Sequence, residues 1–248
     1  DSRTVNVAPM PVPPSPIAAL ASPRDVAVDS SGALYIADTG NHRIRRVDPA
    51  SGIITTVAGT GVEGSAGDGG PGTSATFTVL ESVTVAAGKL LIADGNGDAV
   101  RRLDLATGLI TGVTAVDNPG GVAADRDGNV YYSTTLAVWR AAAGAPVRVV
   151  GAAAAGGDTD GRPALAGALS SPLSLAFDAM GNLYVAETGN QRVRRIDGAT
   201  RIITTAAGNG TSDYSADGAV AVAAGVPIPQ AVAAGRQRAP VGAGVVVD

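Results

Sequence analysis

Residues 35–48 read YIADTGNHRIRRVD, and residues 184–197 read YVAETGNQRVRRID. A pattern held over so many positions in two distant segments limits the fold more than any other feature, because both copies must adopt one local structure. Around the first copy lie four short apolar runs, at 26–29, 34–38, 44–48 and 54–58, each bounded by Gly, Pro, Ser or Asn. Asp29-Ser-Ser-Gly32 has hairpin chemistry, since Asp tolerates a tight turn and Gly supplies a positive φ. The spacing predicts a four-stranded antiparallel meander.

The unit recurs, opening at Pro23, Leu80, Pro119, Pro172 and Pro229. What varies is the connection after the fourth strand. Three connections carry Asp-Gly, at Asp68, Asp160 and Asp217, whereas the one between units two and three is only Ala-Val-Asp-Asn, 115–118. Four-stranded units repeated at this spacing predict an all-β chain folded as a β-propeller, whose blades bury their faces by stacking around an axis. Residues 1–248 read as a single propeller of about five blades, with a Pro-rich linker at 9–22. Arg-Thr-Val-Asn-Val-Ala-Pro, 3–9, matches a fourth strand, so an N-terminal strand is expected to complete the last blade and remove exposed edges. An arc of six blades is the alternative if the chain, which opens on Asp1, is a processed or excised piece.

Composition agrees. Apolar residues make up 45% but aromatics only 3%, so Val, Ala, Ile and Leu must fill the core, and 34 Gly and 15 Pro punctuate many short strands. The absence of cysteine removes disulfides and thiolate chemistry. A net charge of −4, with Lys89 the sole lysine, argues against general nucleic-acid binding. No apolar run has the length of a membrane span.

The units resemble NHL repeats, in the form GDGGP…YIADTGNHRIRRVDP.TG.ITTVAG common in bacterial surface proteins. The resemblance is strong in units one and four, clear in unit two and weak in unit three. It implies a propeller and leaves function open, since such propellers serve as scaffolds, RNA binders, lyases and hydrolases.

Arginine pairs recur at Arg45–Arg46, Arg101–Arg102 and Arg194–Arg195, each two residues before an acid: Asp48, Asp104 and Asp197. They read either as an arc of guanidinium groups binding phosphate, sulfate or uronic acid, or as a ladder paired with those acids and with Asp38, Asp94 and Glu187 at second-strand ends. In the ladder, Arg43 and Arg192 face the second-strand acids across the turn. Unit three, reading YYSTTLAVWRAAAG, lacks the acid and the arginine pair together, which favours the ladder. Asp94, Asn96 and Asp98 place oxygen ligands at alternate positions, as a calcium loop begins, but Ala99 and Leu105 stand where such a loop wants Gly and Glu. Calcium is therefore the one cofactor to consider; otherwise none is expected. His42 is the only histidine and its counterpart is Gln191, which argues against a catalytic triad. Asp29, Asp125 and Asp178 end first strands and could serve a hydrolase, although each also opens a turn. Asn209-Gly-Thr is a glycosylation sequon, usable in a eukaryotic secretory pathway.

The functional expectation is a non-enzymatic, extracellular or surface-associated interaction module, or a building block of an assembly, offering its loop-rich rim to a protein or glycan. The alternative is a lactonase-like hydrolase or lyase with a carboxylate-held metal in the central channel.

Overall fold

The computed structural model describes residues 19–152, 156, 159–215, 217–234 and 245–246. The expected strand at 3–9 and most of the Pro-rich linker lie outside them. Four meanders follow in chain order. Blade one is β1 (Pro23–Val28), β2 (Leu34–Asp38), β3 (Arg43–Val47) and β4 (Ile54–Ala58). Blade two is β5 (Leu80–Ala86), β6 (Lys89–Asp94), β7 (Ala99–Asp104) and β8 (Ile110–Ala115). Blade three is shorter: β9 (Val122–Ala124), β10 (Val130–Ser133), β11 (Val138–Arg140) and β12 (Val147–Val150). A two-residue strand, β13 (Arg162–Pro163), precedes blade four, made of β14 (Pro172–Phe177), β15 (Leu183–Glu187), β16 (Arg192–Ile196) and β17 (Ile202–Ala207). A fifth unit shows β18 (Ala233–Ala234) paired with β19 (Val245–Val246). Each four-stranded sheet is antiparallel with neighbours in sequence order.

The core lies between blades, as stacking predicts. Ile44, Tyr35 and Ala37 of blade one pack with Leu80, Leu90 and Ile92 of blade two. Leu91 and Val100 meet Val122 and Tyr132 across the next interface. Val138 and Tyr131 then face Leu175 and Val185, and Tyr184 and Val193 face Val232 of the fifth unit. Aliphatic side chains of this size contribute about 1.5–3 kcal/mol each when fully buried. So each blade is stable only against its neighbours.

The first strands stand side by side around the axis and are tied by one recurring bond. Asp25 accepts the Val83 N–H at 2.8 Å, Ser82 accepts from Val122 at 3.4 Å, and Ser174 accepts from Val232 at 3.2 Å. In blade three this place is Gly121, where a Cβ would come within 2.2 Å of the Leu173 carbonyl oxygen. The backbones approach too closely there for any side chain. The starts of all five first strands, from Pro23 to Ala231, line one axial cavity of about 760 Å³.

Candidate functional site

The recurring segment is accounted for almost position by position. The Tyr35 hydroxyl donates to Asp29, and Tyr184 does the same to Asp178. Asp38 accepts the Ala21 N–H at 2.8 Å, and Glu187 that of Ser170 at 2.7 Å, so each fixes the connection entering its blade. Thr39 and Thr188 donate to the Leu80 and Pro229 carbonyls of the following blade. Asn41 and Asn190 donate to Asp38 and Glu187. His42 and Gln191 hold a left-handed turn, at φ 51° and 53°. Arg43 and Arg192 donate to the Thr60 and Asn209 carbonyls, so they do not serve the second-strand acids as cross-strand pairing suggests.

Those acids face the first arginine of each pair instead. Arg45 lies 3.5 Å from Asp38, and Arg194 lies 3.5 Å from Glu187 and 2.7 Å from Asp160. Arg101 turns to the entering linker: it donates to Asp68, Thr76 and Ala66, and its guanidinium sits 4.8 Å over the Phe77 ring. The second arginines lie nearer solvent. Arg46 pairs with Asp48 and Arg195 with Asp197, while Arg102 is exposed and makes no ion pair among the described residues. Arg101 and Arg194 are thus withdrawn from any external ligand.

Asp94, Asn96 and Asp98 belong to the same repeat logic. Asp94 stands where Asp38 and Glu187 stand; it is fully buried and accepts from Thr78 N, Thr78 Oγ1 and Val79 N. Burial pushes its carboxyl up, against those three hydrogen bonds. Asp98, at φ 52°, occupies the left-handed place of His42 and accepts the Asn118 N–H at 2.9 Å. Asp94 Oδ1 and Asp98 Oδ1 each serve a different backbone, and Asn96 lies exposed in the turn between them. Among the described residues no three His, Asp or Glu side chains gather to hold a metal. Asp29, Asp125 and Asp178 each accept two backbone N–H groups of their own turn, and the His42 ring contacts the Thr78 carbonyl oxygen.

Blade three departs from the pattern. Tyr131 pairs with Arg140 as Tyr35 pairs with Arg46, so Arg140 keeps the second arginine's place. Trp139 replaces the first arginine and Thr134 the acid. The sequence reading lost both arginines because unit three's shortened turn hides this register. The replacement is neutral and still bonded: Trp139 Nε1 donates to Thr134 Oγ1 at 3.1 Å. The entering connection is the cause. In blades two and four a long linker lies over the third strand and pairs with the outer one, through Gly69–Gly70 on Ile110 and through β13 on β17. Residues 116–118 are too few to reach there.

What is uncovered is a groove. Beside the axial cavity lies one of about 330 Å³, which shares Asn118, Gly120 and Leu173 with it and reaches Thr134 and Thr135. Those threonines also line a third cavity, of about 490 Å³, walled by Val116, Tyr132, Leu136, Trp139 and Pro146. The groove thus runs from the axis along blade three to the rim.

A family model for the NHL repeat matches residues 20–47 and 169–196. The chain carries NHL repeats in a β-propeller fold. The two matches hold the strands that carry the recurring segment in blades one and four. NHL repeat-containing protein 2 of Gallus gallus is 47% identical over 53 residues, which are 21% of this chain and 7% of that protein. A structural genomics protein of unknown function from Bacteroides thetaiotaomicron superposes with a TM-score of 0.67 at 18% identity, over 84% of this chain and 53% of that one. A chain of a nidogen–laminin complex superposes with a TM-score of 0.60 at 15% identity, over 85% and 68%. These likenesses show the fold. In this NHL propeller Asn209 is exposed, its Nδ2 donating to the Ala223 carbonyl oxygen. No helix among the described residues is long and apolar enough to cross a membrane.

Proposed function

We propose that this propeller is a binding module that holds an extended segment of a protein partner in the groove over blade three, without chemistry of its own. The observation that carries the reading is the opening of that groove where the linker is short and Trp139 replaces a buried arginine. Its lining suits a peptide: Leu173, Leu136, Trp139 and Pro146 offer apolar contact, and Thr134, Thr135 and Ser171 offer hydroxyls. Trp is among the side chains that most often anchor such interfaces. The residues that resemble catalytic ones are engaged in turns and strand ends. Protein binding also has a precedent in the fold, since a chain that superposes on this one was seen in a nidogen–laminin complex.

Trp139 is the only tryptophan, so its emission reports the groove directly. Peptides selected from a random library against the folded protein should shift that emission on binding. They should lose about tenfold or more in affinity to a Leu136→Arg variant, which sets a charge against an apolar contact. Selected peptides that leave the emission unchanged and bind the variant equally well would sink the proposal.

A further inference from the structure

Between blades three and four lies a second, separate cavity, of about 330 Å³, lined by Tyr131, Arg140, Arg148, Val149, Pro163, Ala164, Leu165 and Arg201. Three arginines line it and no acid does. Each is there through a different departure from the repeat. Arg140 keeps the place of Arg46 and Arg195, but Ala142 stands where their partners Asp48 and Asp197 stand. Arg148 pairs with Trp139 in the sheet, at the place of Thr56, Gly112 and Thr205. Arg201 occupies the turn position filled by Gly52 and Gly108, and like them it has a positive φ, 58° against 68° and 71°. A long side chain in that conformation is strained, and strain of this kind is retained where something compensates for it.

Among the described residues none of the three arginines makes an ion pair. Asp125, the carboxylate beside Tyr131, is held by Asn129 and by the Tyr131 hydroxyl at 3.1 Å. Burial first, then Asp125, pushes that hydroxyl's pKa up, while Arg140 and Arg201 pull it down, so both guanidinium groups stand near the ring. Arg148 and Arg201 are exposed and Arg140 is half-buried, so water partly screens their mutual repulsion, and an anion seated among the three would gain from all of them.

We infer that this cavity binds a tetrahedral oxyanion, a phosphate- or sulfate-type group carried on a short apolar stem. Guanidinium groups match the oxygens of such a head by paired N–H donors. Val149, Pro163, Ala164 and Leu165 provide the apolar wall for the stem. The site is distinct from the peptide groove and stands or falls without it.

Titration calorimetry with inorganic phosphate, inorganic sulfate and phenyl phosphate on the whole chain at low salt tests it. Saturable 1:1 binding is expected, tighter for phenyl phosphate than for inorganic phosphate, and weaker as salt rises. Sulfate should bind about as well as phosphate, since a tetrahedral head of similar charge meets the same guanidinium donors. Arg201→Gly restores the residue that the sibling turns use, so the variant should fold with an unchanged or raised Tm while losing about tenfold or more in affinity. Arg102→Ala, on an exposed arginine outside the cavity, should leave the affinity unchanged. Absence of saturable binding, or equal binding by Arg201→Gly, overturns the assignment.

Discussion

A buried carboxylate such as Asp94 shows how one side chain serves this fold. Its Oδ1 accepts three hydrogen bonds from the linker entering blade two, while its Oδ2 is buried with no protein partner. Asp38 Oδ2 receives the Asn41 amide and Glu187 Oε2 the Arg194 guanidinium, but the residue three after Asp94 is Gly97, where a Cβ would come within 2.4 Å of Oδ2. The acceptor at Oδ1 matters and the charge does not, because the backbone donors it satisfies would otherwise be buried alone. Asp94→Asn keeps that acceptor but sets an amide NH2 where Oδ2 is buried without a partner, so it is expected to cost about 1–2 kcal/mol in urea unfolding. Asp94→Ala leaves the Thr78 and Val79 donors unmet and should cost about 2–4 kcal/mol. Equal losses in the two variants would show that the charge itself is needed. The aspartate was legible in the sequence as a recurring acid. Its direction was not, since spacing alone could not separate a calcium ligand from a linker cap.

The linkers are the elements that differ most between blades, and they decide what each blade exposes. Asp160 fastens its linker to blade four by accepting from Arg194 at 2.7 Å and from Thr205 N and Oγ1 at 3.0 and 3.1 Å. Arg194 is fully buried, so removing Asp160 leaves a buried charge less well matched. Because Asp160 is partly exposed and Glu187 remains near Arg194, Asp160→Ala should cost about 2 kcal/mol, below the range for a fully buried pair. The loss should be accompanied by faster amide exchange over residues 159–171 than elsewhere. Uniform exchange would show that the linker is not held there. The four-stranded units and their order were plain from the sequence, because blade stacking imposes apolar runs at fixed places. The groove was not. It arises from a missing element, and its lining comes from residues that repeat nowhere else: Trp139, Leu136 and Pro146.

Across the whole molecule the carboxylates fall into two opposed groups, and their balance sets how stability varies with pH. On exposed turns, Asp104 is held down to about 2, by Lys89 and then by the Thr107 and Ala106 N–H groups. Asp197 is also held down to about 2, by the Thr200 N–H and hydroxyl and then by Arg195. Asp48 is lowered in the same way, by the Ser51 N–H and hydroxyl first. A group lowered on folding stabilises the native state above its unfolded pKa, near 3.8 here, and that contribution is lost as the pH falls towards the folded value. Asp25, Asp94 and Glu187, at blade junctions, are raised, chiefly by burial. Their effect has the opposite sign: they disfavour the native state at neutral pH, and protonation relieves this as the pH falls through their folded values. The melting temperature should therefore hold level or rise slightly on acidification from neutrality, then fall between about pH 4 and pH 2 as the turn acids take up protons. Circular-dichroism melts across that range read it directly. Asp25→Asn keeps an oxygen to accept from Val83 while removing one of the raised acids, so it should flatten the mildly acidic part of the curve and leave the steep acid limb in place. A steady loss of stability beginning well above pH 5 would mean that the junction carboxylates are stabilised as anions, and that charge rather than hydrogen-bond acceptance ties one blade to the next.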